Sequence, residues 1–205
     1  MKFKLTFVCS GVLVLLLGNT AAQVCGAQRE AIEQNLYPRT LEMLDVGYQL
    51  PLEIVAVRHL QKREHWIRDL EIEIKNVSTK PIYGVWLTLS MPDDRGKSGA
   101  PCTVDLKYGR SELLHPTEHA SAADRPIGPG ETAIIKVAEL VWMGYESHLT
   151  NERVSEEATQ KLRAAIVAIS LGDGTGFING GVPYPDRPPT RLRPYQYVRI
   201  PIDYR

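Results

Sequence analysis

LEIEIKNVSTKPIYGVWLTL, residues 70–89, is the stretch that decides the fold of this 205-residue chain. Its first part alternates the apolar residues Leu70, Ile72 and Ile74 with charged residues, the period-two pattern of a half-buried strand. A polar break that ends in Pro81 interrupts the run, and Tyr, Trp, Val and Thr then resume it as good strand formers. The stretch therefore predicts two β-strands joined by a short turn.

The chain on either side of this stretch predicts further strands and one helix. Strand patterns cover residues 51–60, 103–108, 132–138 and 164–171, and Asp173-Gly174 is a hairpin signal before a return strand. In residues 151–163 apolar side chains recur every four residues, with acids near the start and bases near the end, which predicts a helix. The chain as a whole predicts an all-β fold, an antiparallel β-sandwich with one short accessory helix.

The N-terminus has the pattern of an export signal. Lys2 and Lys4 precede an apolar run over residues 7–17, and Ala21 and Ala22 supply the small residues of a cleavage site. The run is shorter than the roughly 20 residues that span a bilayer, which favours a cleaved signal over the alternative, a retained membrane anchor. We therefore predict a signal peptide at 1–22, a secreted or periplasmic protein, and no membrane span after cleavage.

The charge balance bears on the class of partner. Loss of Lys2 and Lys4 from 24 basic and 24 acidic side chains leaves 22 basic against 24 acidic. A nucleic-acid binder needs a basic face to neutralise phosphates, so we predict no nucleic-acid partner. The remaining chain, roughly 180 residues, is long enough for one well-buried domain.

Two cysteines remain after the predicted cleavage, Cys25 and Cys102. An even pair in an oxidising compartment predicts a disulfide between them. Lipidation of Cys25 is the rival interpretation, but Gln23-Val24 stand where bacterial lipoprotein signals have small residues.

Two segments flank the predicted sandwich at residues 50–181. Residues 23–49 are expected to form an N-terminal strap, partly helical and interrupted by Pro38. Residues 182–205 are expected to form an extended tail rich in Pro, Arg and Tyr, whose last part could add to a sheet edge. The tail either packs as a strap or lacks fixed structure, or it docks a partner with tyrosine anchors and arginine clamps. The partner-binding candidates are Arg191, Arg193, Tyr195 and Tyr197.

One motif has the letters of a zinc protease. His115, Glu118 and His119 match H-x-x-E-H, whose chemistry needs both imidazoles on one face of a helix. The segment has no helical period, and Pro116 fits only the first turn of a helix. We therefore predict a surface loop here, with a metal-dependent hydrolase as the alternative, and we assign no catalytic, cofactor-binding or metal-binding residue.

Three other patterns have structural interpretations. Residues 172–176 (GDGTG) favour a hairpin over a phosphate loop, because strand-like residues follow them. Asp93 and Asp94 lie in a stretch with loop composition and are interpreted as solvated carboxylates. The glycosylation sequon at Asn76 also suits the end of a strand.

The strand stretch at residues 70–89, together with IGPGETAIIKV and GDGTGF, resembles small secreted bacterial immunoglobulin-like proteins of uncharacterised function. In those proteins an N-V-S turn joins two sandwich strands, a P-G-E turn precedes another, and a D-G-T hairpin comes near the end. The resemblance implies an immunoglobulin-like β-sandwich over 50–181 and carries over no catalytic residue, and the inter-sheet disulfide of true immunoglobulin domains is absent. We therefore expect a non-enzymatic module that binds a protein or a cell-envelope component, with a structural envelope subunit as a further alternative.

Overall fold

Most of the described chain is β-strand. The computed structural model describes residues 38–45, 49–97, 99–115, 117–178, 182–184, 196–199 and 203–204. The strands in this part of the chain are β1 (Thr40–Asp45), β2 (Leu52–Arg58), β3 (Glu71–Asn76), β4 (Gly84–Arg95), β5 (Pro101–Tyr108), β6 (Thr132–Lys136), β7 (Lys161–Ser170), β8 (Gly176–Ile178), β9 (Val182–Tyr184), β10 (Gln196–Arg199) and β11 (Asp203–Tyr204). The helices are α1 (Trp66–Asp69) and α2 (Glu139–Glu152), and 3₁₀ turns lie at Ser111–Leu114 and Glu156–Ala158.

The strands form two sheets. The larger sheet has the order β10-β1-β7-β4-β5, with β8 paired to β7 and β9 to β8, and the smaller sheet has the order β11-β2-β3-β6. The all-β prediction is therefore confirmed. The prediction of purely antiparallel strands is wrong, because β1 pairs with β7 in parallel and β11 pairs with β2 in parallel.

The stretch at residues 70–89 connects the two sheets. Strand β3 lies in the smaller sheet and β4 in the larger one, so the polar turn between them crosses from one sheet to the other. Ile72 and Ile74 of β3 and Leu87 and Leu89 of β4 are each fully buried in one hydrophobic core. The alternation in the sequence thus gives each sheet one apolar face, and the two faces share that core.

Asn76 fixes the turn between β3 and β4. Its side-chain Nδ2 donates hydrogen bonds of 2.8 Å to the carbonyl oxygens of Lys80 and Ile127, and its Oδ1 accepts one from the backbone N–H of Ser78 at 2.9 Å. The side chain is fully buried. The asparagine of the sequon therefore has a structural role in the folded protein.

The prediction of a helix over residues 151–163 is wrong. The long helix, α2, ends at Glu152; the next residue, Arg153, has a left-handed backbone (φ 56°), and its N–H donates to the Leu149 carbonyl. Ala158 is exposed, and Leu162 is buried in β7, where it pairs with Leu41 of β1. Pairing within the sheet therefore overrides the helical period of this segment.

The segments that flank the predicted sandwich contribute strands. Part of the expected N-terminal strap, β1, lies inside the larger sheet between β7 and β10. Part of the expected extended tail, β10, pairs with β1 in antiparallel register, so the last part of the tail adds to a sheet edge as expected. The predicted signal peptide and the helix expected before Pro38 lie outside the described residues. Among the described residues, no helix has both the length and the apolar character needed to cross a membrane.

Two predicted turns are confirmed. Ser170 of β7 pairs with Gly176 of β8 around Asp173-Gly174, and β-strand follows the glycine-rich segment as expected for a hairpin. At residues 128–131 the N–H of Glu131 donates to the Gly128 carbonyl, and β6 begins directly afterwards.

Candidate functional site

A bulge in β4 turns one carboxylate into the interior. Met91 pairs with Cys102 of β5, whereas Arg95 pairs with the adjacent residue Pro101, so residues 92–94 have no partner in β5. Up to Met91 every second side chain of β4 is buried, and the bulge changes that alternation. Asp94 is fully buried as a result, so its interpretation as a solvated loop residue is wrong.

Cys102 lies directly beside this bulge. It is half-buried near the start of β5, on the same side of the strand as the buried residues Val104 and Leu106. Its thiol is free in the structure. Burial, followed by the negative charge of Asp94, raises the pKa of the thiol to about 11.

Helix α2 brings a histidine to the same point. Tyr145 and Leu149 are the buried side chains of the helix, and the Tyr145 ring meets the fully buried Trp66 ring edge to face at a centroid distance of 6.1 Å. His148, three residues after Tyr145, therefore faces β4 and β5. Its Nε2 lies 3.1 Å from Oδ1 of Asp94, and its side chain is 27% exposed.

The end of α2 is tied to the loop that follows the bulge. The backbone N–H of Lys97 donates to Glu152 at 2.6 Å, and the Lys97 ammonium donates to the Asn151 carbonyl at 3.0 Å. These contacts hold the last turn of the helix, which follows His148, against the β4–β5 connection.

Asp94, Cys102 and His148 form a triad of side chains that are common metal ligands. One ligand atom from each, a carboxylate oxygen, the sulfur and an imidazole nitrogen, all lie within 4.8 Å of one another, and no other described residues form such a group. Oδ2 of Asp94 is buried and has no hydrogen-bond partner. A buried carboxylate oxygen without a partner is costly, and it marks the place where a cation would be stabilised.

A cleft opens above the triad. It has a volume of about 530 Å³ and runs between β5 and α2, with Cys102 and His148 in its wall. Asp94 lies beneath it, fully buried. The remaining lining residues are Ala100, Pro101, Thr103, Val104, Asp105, Leu140, Val141, Gly144 and Tyr145.

The H-x-x-E-H motif of His115, Glu118 and His119 does not lie on a helix. His115 follows a 3₁₀ turn, and its Nδ1 lies 2.8 Å from the Thr117 hydroxyl. Glu118 and His119 are exposed, and His119 forms an isolated β-bridge with Asp173. The prediction of a surface loop is confirmed for this segment.

Most other predicted site residues lie outside the described part of the chain: Cys25, Arg191, Arg193 and Tyr195. The pairing of Cys25 with Cys102 stays a prediction. Tyr197 lies on β10, is 39% exposed, and has the Arg163 guanidinium 4.6 Å from its ring centroid.

Comparison with known proteins gave no match, whether to a protein-family model, a curated protein or a solved structure.

No local sequence pattern indicates the triad, because its residues lie far apart in the chain. Asp94 and Cys102 are eight positions apart, and His148 comes 46 residues later on another element. Asp93 and Asp94 lie within β4, and a period of two continued past Met91 points to Asp93, not to the buried Asp94.

Proposed function

We propose that this protein is an exported, immunoglobulin-like β-sandwich that acts by binding, and that the triad is its binding site for a divalent transition-metal ion. The observation that carries the proposal is the fully buried Asp94, whose Oδ2 has no partner and which lies against Cys102 and His148. A cation bound there would neutralise the carboxylate and satisfy its free oxygen.

The donor set indicates which metal suits the site. One thiolate, one imidazole and one carboxylate are the ligands that zinc takes in proteins, and the thiolate disfavours magnesium and calcium. Ligand atoms around tetrahedral zinc are about 3.3–3.8 Å apart. The ligand atoms of the triad lie within 4.8 Å of one another, so side-chain rotations that move them by about 1 Å would bring them to the spacing of a tetrahedral zinc site.

Binding of the metal requires a thiolate at Cys102. The thiol has a raised pKa in the metal-free protein, and coordination to zinc deprotonates a cysteine, so binding would release a proton. A disulfide from Cys102 to Cys25 would compete with this ligand and would leave the site with two donors.

A hydrolytic role is the second candidate, because three protein ligands with an open position are the pattern of catalytic zinc. A hydrolase also needs a general base beside the metal-bound water. Among the described residues that line the cleft, Asp105 is the one carboxylate, and its Oδ1 accepts a 2.6 Å hydrogen bond from the Thr88 hydroxyl. The donor set therefore supports binding more directly than catalysis.

Titration of reduced, metal-free protein with zinc and with cobalt tests the proposal. We expect one ion per chain, with a thiolate-to-cobalt charge-transfer band that disappears in Cys102→Ser and binding that is lost in Asp94→Asn. His115→Ala is the matched control for His148→Ala, and it should bind like the parent protein. Equal loss in His115→Ala, or binding retained by all three triad variants, would contradict the proposal.

A further inference from the structure

We propose that the metal of the triad has a fourth coordination position, open to the cleft, that takes a histidine side chain from a partner protein. This inference rests on the proposed function, because it concerns the same metal. It names the class of partner that the cleft would receive, an extended segment that carries a histidine.

The open position faces the cleft because of how the three ligands are arranged. Asp94 lies beneath the site and is fully buried, whereas Cys102 and His148 line the cleft wall. An ion held between them is enclosed by protein on the side of Asp94. Its remaining coordination position therefore points into the cleft volume of about 530 Å³.

The charges at the site favour a neutral nitrogen donor. A divalent ion with the Asp94 carboxylate, the Cys102 thiolate and a neutral His148 has no net charge. None of the described lining residues is Lys or Arg, so no cation among them would offset an anionic fourth ligand. A carboxylate or phosphate ligand would therefore leave the site with uncompensated negative charge, whereas an imidazole would not.

The rim of the cleft suits a polypeptide ligand. In the described part of the larger sheet β5 is an edge strand, so one row of its backbone groups is not used in pairing with β4. Leu140, which lines the cleft on α2, is 82% exposed. An extended segment could add to β5, cover this apolar side chain and place one histidine over the metal.

Gly144 provides a way to close the cleft without touching the ligands. It lines the cleft on α2, and a Cβ added there would meet no atom within 4 Å. It lies one turn from His148. A large side chain at this position would occupy the cleft, and an alanine would leave it open.

The first test uses cobalt-loaded protein and two small probes, imidazole and acetate. We expect imidazole to shift the visible cobalt bands in a saturable way and acetate to leave them unchanged. In Gly144→Phe the cobalt bands should persist and the response to imidazole should be lost, whereas Gly144→Ala should respond like the parent protein. Acetate and imidazole acting equally would overturn the assignment of a neutral donor.

The second test asks whether the donor is part of a peptide. The probes are acetyl-Thr-Val-His-Val-Thr-amide, the same peptide with alanine in place of histidine, and free histidine. We expect the histidine peptide to bind zinc-loaded protein at least about tenfold more tightly than the other two, and this difference to disappear without metal. Preference for free histidine would overturn the partner assignment in favour of a small-molecule site.

The two proposals fail in different ways. If the triad binds no cobalt, the proposed metal-binding function fails, and imidazole and acetate should cause no change in a cobalt spectrum. If cobalt binds but neither imidazole nor the histidine peptide reaches it, the metal function stands and the inference about the fourth ligand is overturned.

Discussion

Nε2 of His148 lies 3.1 Å from Oδ1 of Asp94, a contact that joins the last turns of α2 to the bulge at the end of β4. It satisfies one oxygen of a fully buried carboxylate and leaves the other without a partner. The contact therefore holds the metal-free site together, but burial of Asp94 still lowers the stability of the protein, because the unpartnered oxygen has lost its hydration.

Asp94→Asn should stabilise the metal-free protein and abolish its response to zinc. Removing a buried, half-satisfied charge is expected to raise the free energy of unfolding by about 1 kcal/mol, while the loss of one ligand removes the zinc-dependent rise in Tm. Thermal unfolding of parent and variant, with chelator and with zinc, measures both effects. A zinc-dependent rise in Tm that survives in the variant would contradict the role given to Asp94.

The Cys102 thiol should react slowly at neutral pH. With a pKa raised to about 11 from an ordinary value near 9.0, its thiolate fraction at pH 7 is about 100-fold below that of an ordinary cysteine. Alkylation by iodoacetamide should therefore accelerate as the pH rises toward 11. It should also be faster in Asp94→Asn, which lacks the neighbouring negative charge.

Cys25→Ser is the control for that experiment, and it separates the free thiol from the predicted disulfide. If Cys102 stays unreactive in unfolded protein without reductant, but reacts there in Cys25→Ser, the two cysteines are paired. Fast alkylation of the folded protein at pH 7 would contradict the raised pKa.

The sequence predicted most of the strands because their alternation is directly visible. The side chains of Val85, Leu87, Leu89 and Met91 are all buried, as a period of two requires. What alternation cannot show is which sheet a strand joins. Strands β3 and β4 lie in different sheets, and β1 pairs with β7 from far along the chain.

Local sequence patterns could not predict the candidate site, and the reason is physical. A period of two continued past Met91 would bury Asp93, but the bulge shifts the register and buries Asp94. The helix that carries His148 has apolar residues at every fourth position, Val141, Tyr145 and Leu149. The segment 151–163, which was predicted as a helix but does not form one, has the same spacing. Packing of Tyr145 on Trp66 distinguishes the two segments, and the sequence does not show that contact.

Gly144→Ala should stabilise the protein. The residue lies inside α2, where glycine costs about 0.5–1 kcal/mol relative to alanine, and an added Cβ would meet no atom within 4 Å. Chemical denaturation should therefore show a higher free energy of unfolding by about that amount. Gly176→Ala is the contrasting variant, because its Cβ would clash with the Ile169 carbonyl, and it should destabilise.

Asn76→Ala should be among the more damaging single substitutions. It removes the two hydrogen bonds that Nδ2 donates, a part-buried one to the Lys80 carbonyl and a buried one to the Ile127 carbonyl, and it opens a small cavity at the crossing between the sheets. We expect a loss of about 2–4 kcal/mol in the free energy of unfolding, measured by chemical denaturation. The control is Lys75→Ala, because Lys75 precedes Asn76 and is only half-buried. This substitution should change stability far less.

Asp173 should make the β7–β8 hairpin sensitive to acid. Hydrogen bonds from the Thr175 hydroxyl, then from the Lys80 ammonium at 2.9 Å, lower the pKa of its carboxyl to about 2. Because the pKa in the folded state lies below the unfolded value, the contribution to stability is complete above about pH 4 and is lost as the pH falls toward 2.

Asp173→Asn should therefore lower stability at pH 7 and have a much smaller effect near pH 2, and Thr175→Ala should raise the pKa of Asp173 toward its ordinary value. NMR titration of the side-chain carboxyl measures the second effect, and denaturation at the two pH values measures the first. Asp173 is close to half exposed, so the change at pH 7 should be small. A stability difference between parent and Asp173→Asn that is equally large at both pH values would show that the hairpin depends on the shape of this side chain and not on its charge.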